Sequence, residues 1–186
     1  MSQSIVILHG IGTPKRPLEP GEAVFWLSRE RFCRALDRIV EMGPAAPQIT
    51  FDDGNASDIE IALPELRARS LTATFFLLAG RLGQPGSLTE ADVTTLAAAG
   101  HRIGLHGADH VDWRRLDAAG RGREFGAARD KLQALSGQPV DEALLARCDE
   151  LLAEEADHIE AVELRAGLRS ALTLAQDANA YLNDQE

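Results

Sequence analysis

Two short stretches hold the residue types that chemistry can use. The first, QITFDDGNASD over 48–58, sets Asp52 and Asp53 side by side at the end of an apolar run, with Gly54 after them. Neighbouring carboxylates repel, and at the mouth of a buried strand they need a cation, a proton or hydrogen-bond donors to offset that cost. The second, HGADH over 106–110, gives His106 and His110 a His-x3-His spacing, which brings two imidazoles to one side of a single helical turn. Two nitrogens and one carboxylate oxygen suit Zn²⁺ or a similar borderline divalent metal, with a position left open for water. Such a site polarises a carbonyl and makes hydroxide available near neutral pH. The two aspartates then divide the work: Asp53 holds the metal with His106 and His110, and Asp52 takes the proton of the attacking water as general base. An Asp-Asp-Gly tripeptide alone is an ordinary turn, and a solitary HxxxH is a weak motif; the placement of both at strand ends is what points to a site.

The elements that position these residues alternate between strand and helix. SIVILHG reads as a strand entering a loop, and PKRPLEPGEAVF as a proline-rich connection. SRERFCRALDRIVEMG puts Phe32, Leu36, Ile39 and Val40 on one helical face and stops at Gly43. QITF is a strand, roughly 58–70 a helix that accommodates Pro64, and TATFFLLAG a strong strand. SLTEADVTTLAAAG is a helix with Ser87 or Thr89 as N-cap, Glu90 or Asp92 completing a capping box, and Gly100 as terminator. HRIGLH is a further strand and REFGAARDKLQALSG a further helix. The pattern implies an α/β fold with a mostly parallel sheet or barrel, whose functional residues collect at the carboxyl ends of the strands. His9 stands at the end of the first strand, where approach to the site is open to it. His101 reads as structural, and Trp113 as core or rim.

Near residue 140 the character changes. All eight prolines and 15 of 16 glycines lie at or before Pro139, whereas residues 141–186 hold twelve acids and three arginines, −9 of the net −10. The division expected is therefore 1–140 and 141–186, the second an acidic helical hairpin. Its later helix aligns Leu164, Leu168, Ala171, Leu172, Ala175 and Leu182 on one stripe, and His158 reads as solvated. The chain is long enough for a sizeable core. Its acidity argues against general affinity for nucleic acid, and no apolar run is long enough to predict a membrane span. MSQSIVILHGIG reads as an opening strand rather than a signal peptide, which points to the cytoplasm. Cys33 and Cys148 read as plain thiols.

On these residues the front of the chain resembles the polysaccharide deacetylases of the NodB-homology type, carbohydrate esterase family 4. Thr50-Phe51-Asp52-Asp53-Gly54 reproduces that family's first motif. His106 to His110 matches its second, His-(Ser/Thr)-x-x-His, with Gly107 in place of a hydroxyl residue whose hydrogen bond steadies the loop. LPELRARSLTATFFLLAG, LAAAGHRIGLHGADH, SIVILHGIG and RERFCRALDRI are also family-like. The resemblance covers about residues 4–140. It implies a partial (β/α) deacetylase-type barrel followed by an α-helical hairpin, with Asp52 as general base and Asp53, His106 and His110 as ligands of a divalent metal, zinc first. The implied substrate is an acetylated polysaccharide or oligosaccharide, which loses N- or O-acetyl groups by hydrolysis. The family's later motifs, including the Leu-x-His histidine that acts as general acid, do not follow Val140. Impaired turnover is expected on that ground, and self-association through an uncovered half-barrel. Residues 141–186 are similar to helices of the methionyl-tRNA synthetase anticodon-binding domain, most in ALTLAQDANAYLNDQE. The alternative expectation is thus a tRNA-binding or protein-interaction fragment, which the local −9 charge opposes.

Overall fold

Runs of β-branched and aromatic residues bounded by turns become strands, and the segments with helical apolar spacing become helices that cover them. The computed structural model describes residues 4–139. Its strands are β1 (Ile5–Leu8), β2 (Gly10–Ile11), β3 (Trp26–Leu27), β4 (Gln48–Asp53), β5 (Thr74–Leu77) and β6 (Arg102–Leu105). Its helices are α1 (Arg29–Met42), α2 (Leu63–Ala68), α3 (Glu90–Ala98), α4 (Ala118–Arg121) and α5 (Ala128–Ser136). The main sheet has the order β1-β4-β5-β6 with every pair parallel, as the alternating pattern predicts. Parallel neighbours need crossover connections, and α1, α2 and α3 supply them in turn.

The sheet is held by apolar contact beneath the strand ends. Phe51 of β4 stacks on Phe75 of β5 with ring centroids 4.7 Å apart, and Phe32 of α1 meets Phe51 edge-on at 6.0 Å. Each buried phenyl stabilises the fold by about 1.5–3 kcal/mol, so this stack pins the strand that carries Asp52 and Asp53. Helix α1 is capped by Ser28, whose side chain accepts the Arg31 N–H, and it buries Phe32, Leu36 and Ile39. Val40 does not join that face and is 48% exposed. One residue beyond Ile39 turns the side chain by about 100° around the helix, out of the contact.

Of the caps open to α3, Thr89 with Asp92 forms the box, each side chain bonding the other's backbone N–H. The helix expected over 58–70 is a π-helical turn, Asp58–Ala62, leading into α2. Pro64 falls in the first turn of α2, where a missing N–H is tolerated. A second π-helical turn, Gly122–Ala127, precedes α5. The short parallel pair β2–β3 has no counterpart in the sequence pattern. It works because residue 10 is glycine: a Cβ there would lie 2.3 Å from the Trp26 indole. The hairpin expected over 141–186, with its leucine stripe, Cys148 and His158, lies outside the described residues. No helix among those described is long and apolar enough to cross a membrane.

His101 is structural. It is buried, its ring meets Phe75 edge-on, and its Nδ1 accepts the Ala73 N–H at 3.2 Å. Burial pushes its imidazole below the ordinary value. An unfolded histidine titrates near 6.5. Its contribution to stability is therefore complete above about pH 6.5 and is lost as the pH falls below that towards the folded value. His101→Asn keeps an acceptor for Ala73 without a group that charges. This variant should lose less thermal stability than the unsubstituted chain between about pH 7.5 and about pH 5.5. Equal losses in the two melts would place the acid sensitivity elsewhere.

Candidate metal centre at the carboxyl end of the sheet

Register brings the two motifs together. Asp53 ends β4 opposite Leu77 of β5, and Leu77 stands opposite Leu105 of β6. His106 therefore leaves β6 level with the end of β4 and one strand away from it, its N–H donating to the Leu77 carbonyl of the intervening β5 at 3.0 Å. Asp53 and Gly54 both have left-handed backbone, φ 78° and 75°, which turns the chain out of the strand with both carboxylates at its mouth. Asn55, next in the loop, donates from Nδ2 to the His9 carbonyl at 3.0 Å and ties the turn to the end of β1.

The HGADH segment is not a helical turn. It is an irregular bend in which the two imidazole centroids stand 5.5 Å apart. Gly107 is required by its place: φ is 96°, and a Cβ would lie 2.8 Å from Glu124 Oε2. That same oxygen accepts the N–H groups of Ala108 at 2.7 Å and Asp109 at 3.1 Å. The buried Glu124 carboxylate thus steadies the loop through its backbone. Nothing in the sequence singled out Glu124, because it acts across a stretch with no motif of its own.

Asp53 is only 5% exposed, and its Oδ1 is buried with no hydrogen-bond partner. His106 Nε2 lies 3.4 Å from that oxygen but out of bonding alignment, while His9 Nδ1 lies 3.7 Å from Oδ2 and Arg16 3.9 Å from it. Asp53, His106 and His110 each offer one ligand atom, and these atoms all lie within 4.8 Å of one another. A buried carboxylate oxygen lacking a donor, facing imidazole nitrogens, fits a divalent cation of the zinc type. Burial pushes the Asp53 carboxyl up, but interaction with His106 and His9 and the charge of the imidazoles together hold it well below the usual range. For Asp52, burial dominates and the pKa is raised, the imidazoles pulling only partly against it. Environments that push adjacent carboxyls in opposite directions suit one to ligation and the other to proton transfer.

Two further groups belong to this end of the sheet. His9 comes to the site itself, and its imidazole is raised by interaction with Asp53 against the effect of burial. Arg16 is mostly buried: its Nε donates to Asn55 Oδ1 at 2.9 Å and its guanidinium grips the Glu22 carboxylate. The spacing of the motifs gave no sign of Arg16, which lies in the proline-rich connection.

The family model described as polysaccharide deacetylase matches residues 41–145, more than half of the chain, and the chain belongs to that family. YheN of Bacillus subtilis (strain 168), assigned by name to the polysaccharide deacetylases, is 32% identical over 103 residues, 54% of this chain and 34% of that protein. A chitin deacetylase of Pestalotiopsis sp. is 40% identical over 72 residues, 39% of this chain and 24% of that protein. The chain thus spans about a third or less of these curated relatives. Among solved structures, the Streptococcus pyogenes deacetylase PplD in complex with acetate matches at a TM-score of 0.64 and 19% identity, over 75% of this chain and 71% of that one. A Bacillus cereus polysaccharide deacetylase matches at 0.66 and 17%, over 75% of this chain and 49% of that one. At such identities the likeness is one of fold, and it agrees with the parallel sheet.

Calorimetric titration should find near-stoichiometric zinc binding by the chain, weakened at least about a hundredfold in Asp53→Ala and in His106→Ala. Binding that survives both substitutions would locate zinc at another site.

Proposed function

We propose that this protein is a metal-dependent polysaccharide deacetylase, removing N- or O-acetyl groups from an acetylated polysaccharide or oligosaccharide by hydrolysis. The observation that carries the reading is the buried Asp53 Oδ1, without a hydrogen-bond donor, turned towards imidazoles and next to a carboxyl that burial pushes the other way. Family membership supports the reaction class, and the name of the Pestalotiopsis relative makes N-acetylglucosamine oligomers the first substrates to try.

In this reading Asp53, His106 and His110 hold the cation, with zinc as the metal expected of such donors. Bound there, it would supply Lewis acidity to the acetyl carbonyl and to the attacking water. Asp52 accepts the proton of that water, a task suited to a carboxyl whose proton affinity is raised. His9 returns a proton to the departing amine or alcohol. Support for His9 is its proximity to Asp53, its raised imidazole and its partial exposure. Phe25, 55% exposed and with its ring centroid 5.0 Å from that of His9, offers an apolar surface for one face of a pyranose ring.

Acetate release from N-acetylglucosamine oligomers by the zinc-loaded chain tests the proposal. Asp52→Asn and His9→Gln should each lower kcat by about 10²–10⁴-fold while leaving zinc affinity within a few-fold. Zinc-loaded protein inactive on every acetylated polymer tried would overturn the function. Full activity in His9→Gln would remove that residue from the mechanism and leave the rest standing.

A further inference from the structure

The connection between β2 and β3 reads in the sequence as a proline-rich spacer, yet one of its side chains reaches the metal-binding loop. Glu19 Oε2 lies 3.1 Å from Nδ1 of His110, a contact across 91 positions of the chain. Its other oxygen accepts from Arg81, just beyond β5. Its backbone is held as well: the Glu19 N–H donates to Glu22 Oε2 at 2.8 Å, and the Glu22 N–H donates to the Glu19 carbonyl at 3.0 Å. Glu22 is in turn gripped by Arg16, which is anchored on Asn55 next to the aspartate turn. The Glu19 backbone is thus anchored on Glu22 and one carboxylate oxygen on Arg81, while the other faces His110.

His110 needs such a partner. It is 43% exposed and so has little packing to orient it, and its φ of 21° is unusual for a residue with a side chain. An imidazole that ligates through one nitrogen must carry its proton on the other. A carboxylate at Nδ1 accepts that N–H and leaves the Nε2 lone pair free for a cation. We propose that Glu19 is a positioning residue of the metal centre, which selects the Nδ1–H tautomer of His110 and aims its Nε2 at the cation held with Asp53 and His106. This inference rests on the metal reading above. It adds a residue outside both sequence motifs, and it turns the proline-rich segment into a strap with one charged handle near each half of the site.

The test is zinc titration of the full chain by calorimetry for the unsubstituted protein, Glu19→Gln and Glu19→Ala, with metal-free melts alongside. Glu19→Ala should bind about 10–100-fold more weakly. Glu19→Gln keeps an acceptor oxygen and should stay within about threefold of the unsubstituted protein, a rescue that a merely structural role would not give. Equal affinity in all three, or a Gln variant as weak as the Ala variant, overturns the proposal and leaves the metal site intact. No zinc binding by the unsubstituted chain overturns both. The imidazole ¹⁵N shifts of metal-free, unsubstituted protein give a readout that needs no variant to fold: the Nδ1–H tautomer of His110 is expected, and a dominant Nε2–H tautomer refutes the assignment.

Discussion

A carboxylate that gives up most of its water must be compensated, and the burial of Asp53 is the constraint around which this end of the sheet is arranged. An uncompensated charge in such a place costs several kcal/mol. His106, His9 and Arg16 approach it from three separate segments, yet none makes a close hydrogen bond to Oδ1. The arrangement keeps Asp53 ionised while leaving one oxygen without a donor. A chain selected only for stability gains more by completing that bond or by replacing the aspartate with an apolar residue. That unmet oxygen, facing imidazole nitrogens, is what the proposed cation would complete.

The surrounding charges follow from that requirement. Asp52, Asp53 and Asp58 crowd one end of the sheet, and they are not treated alike. Asp58 is fully buried, and burial together with the nearby Asp53 charge pushes its carboxyl well up. Asp52 is raised more modestly, and Asp53 is lowered. The carboxyl that faces the imidazoles is the one favoured as an anion, and its neighbour holds a proton more readily. Glu124 commits its carboxylate to two backbone N–H groups and so shapes the histidine loop without joining the site.

What could be read from the sequence is what local pattern encodes. The strand runs QITF, TATFF and HRIGL, the Thr89–Asp92 box and the Gly43 stop all act within a few residues, and each appears in the structure. That Asp53, His106 and His110 lie together was legible because a parallel sheet gathers its strand ends on one edge. Arg16 and Glu19 were not. A proline-rich stretch has no periodicity to interpret, and their partners lie tens of residues away. Gly107 read as a lost hydroxyl, and its left-handed backbone together with the position of Glu124 explains why glycine is needed there. The bend at HGADH escaped for a related reason: the His-x3-His spacing suits a helix, but the left-handed glycine within it bends the chain instead.

The most direct test of the centre is the set of atoms that zinc meets. X-ray absorption of the zinc-loaded chain should show two imidazole nitrogens and one carboxylate oxygen at about 2.0–2.2 Å, with light-atom scatterers from solvent completing the shell. A spectrum containing a sulfur ligand, or one with no imidazole scattering, would contradict a centre formed by Asp53, His106 and His110.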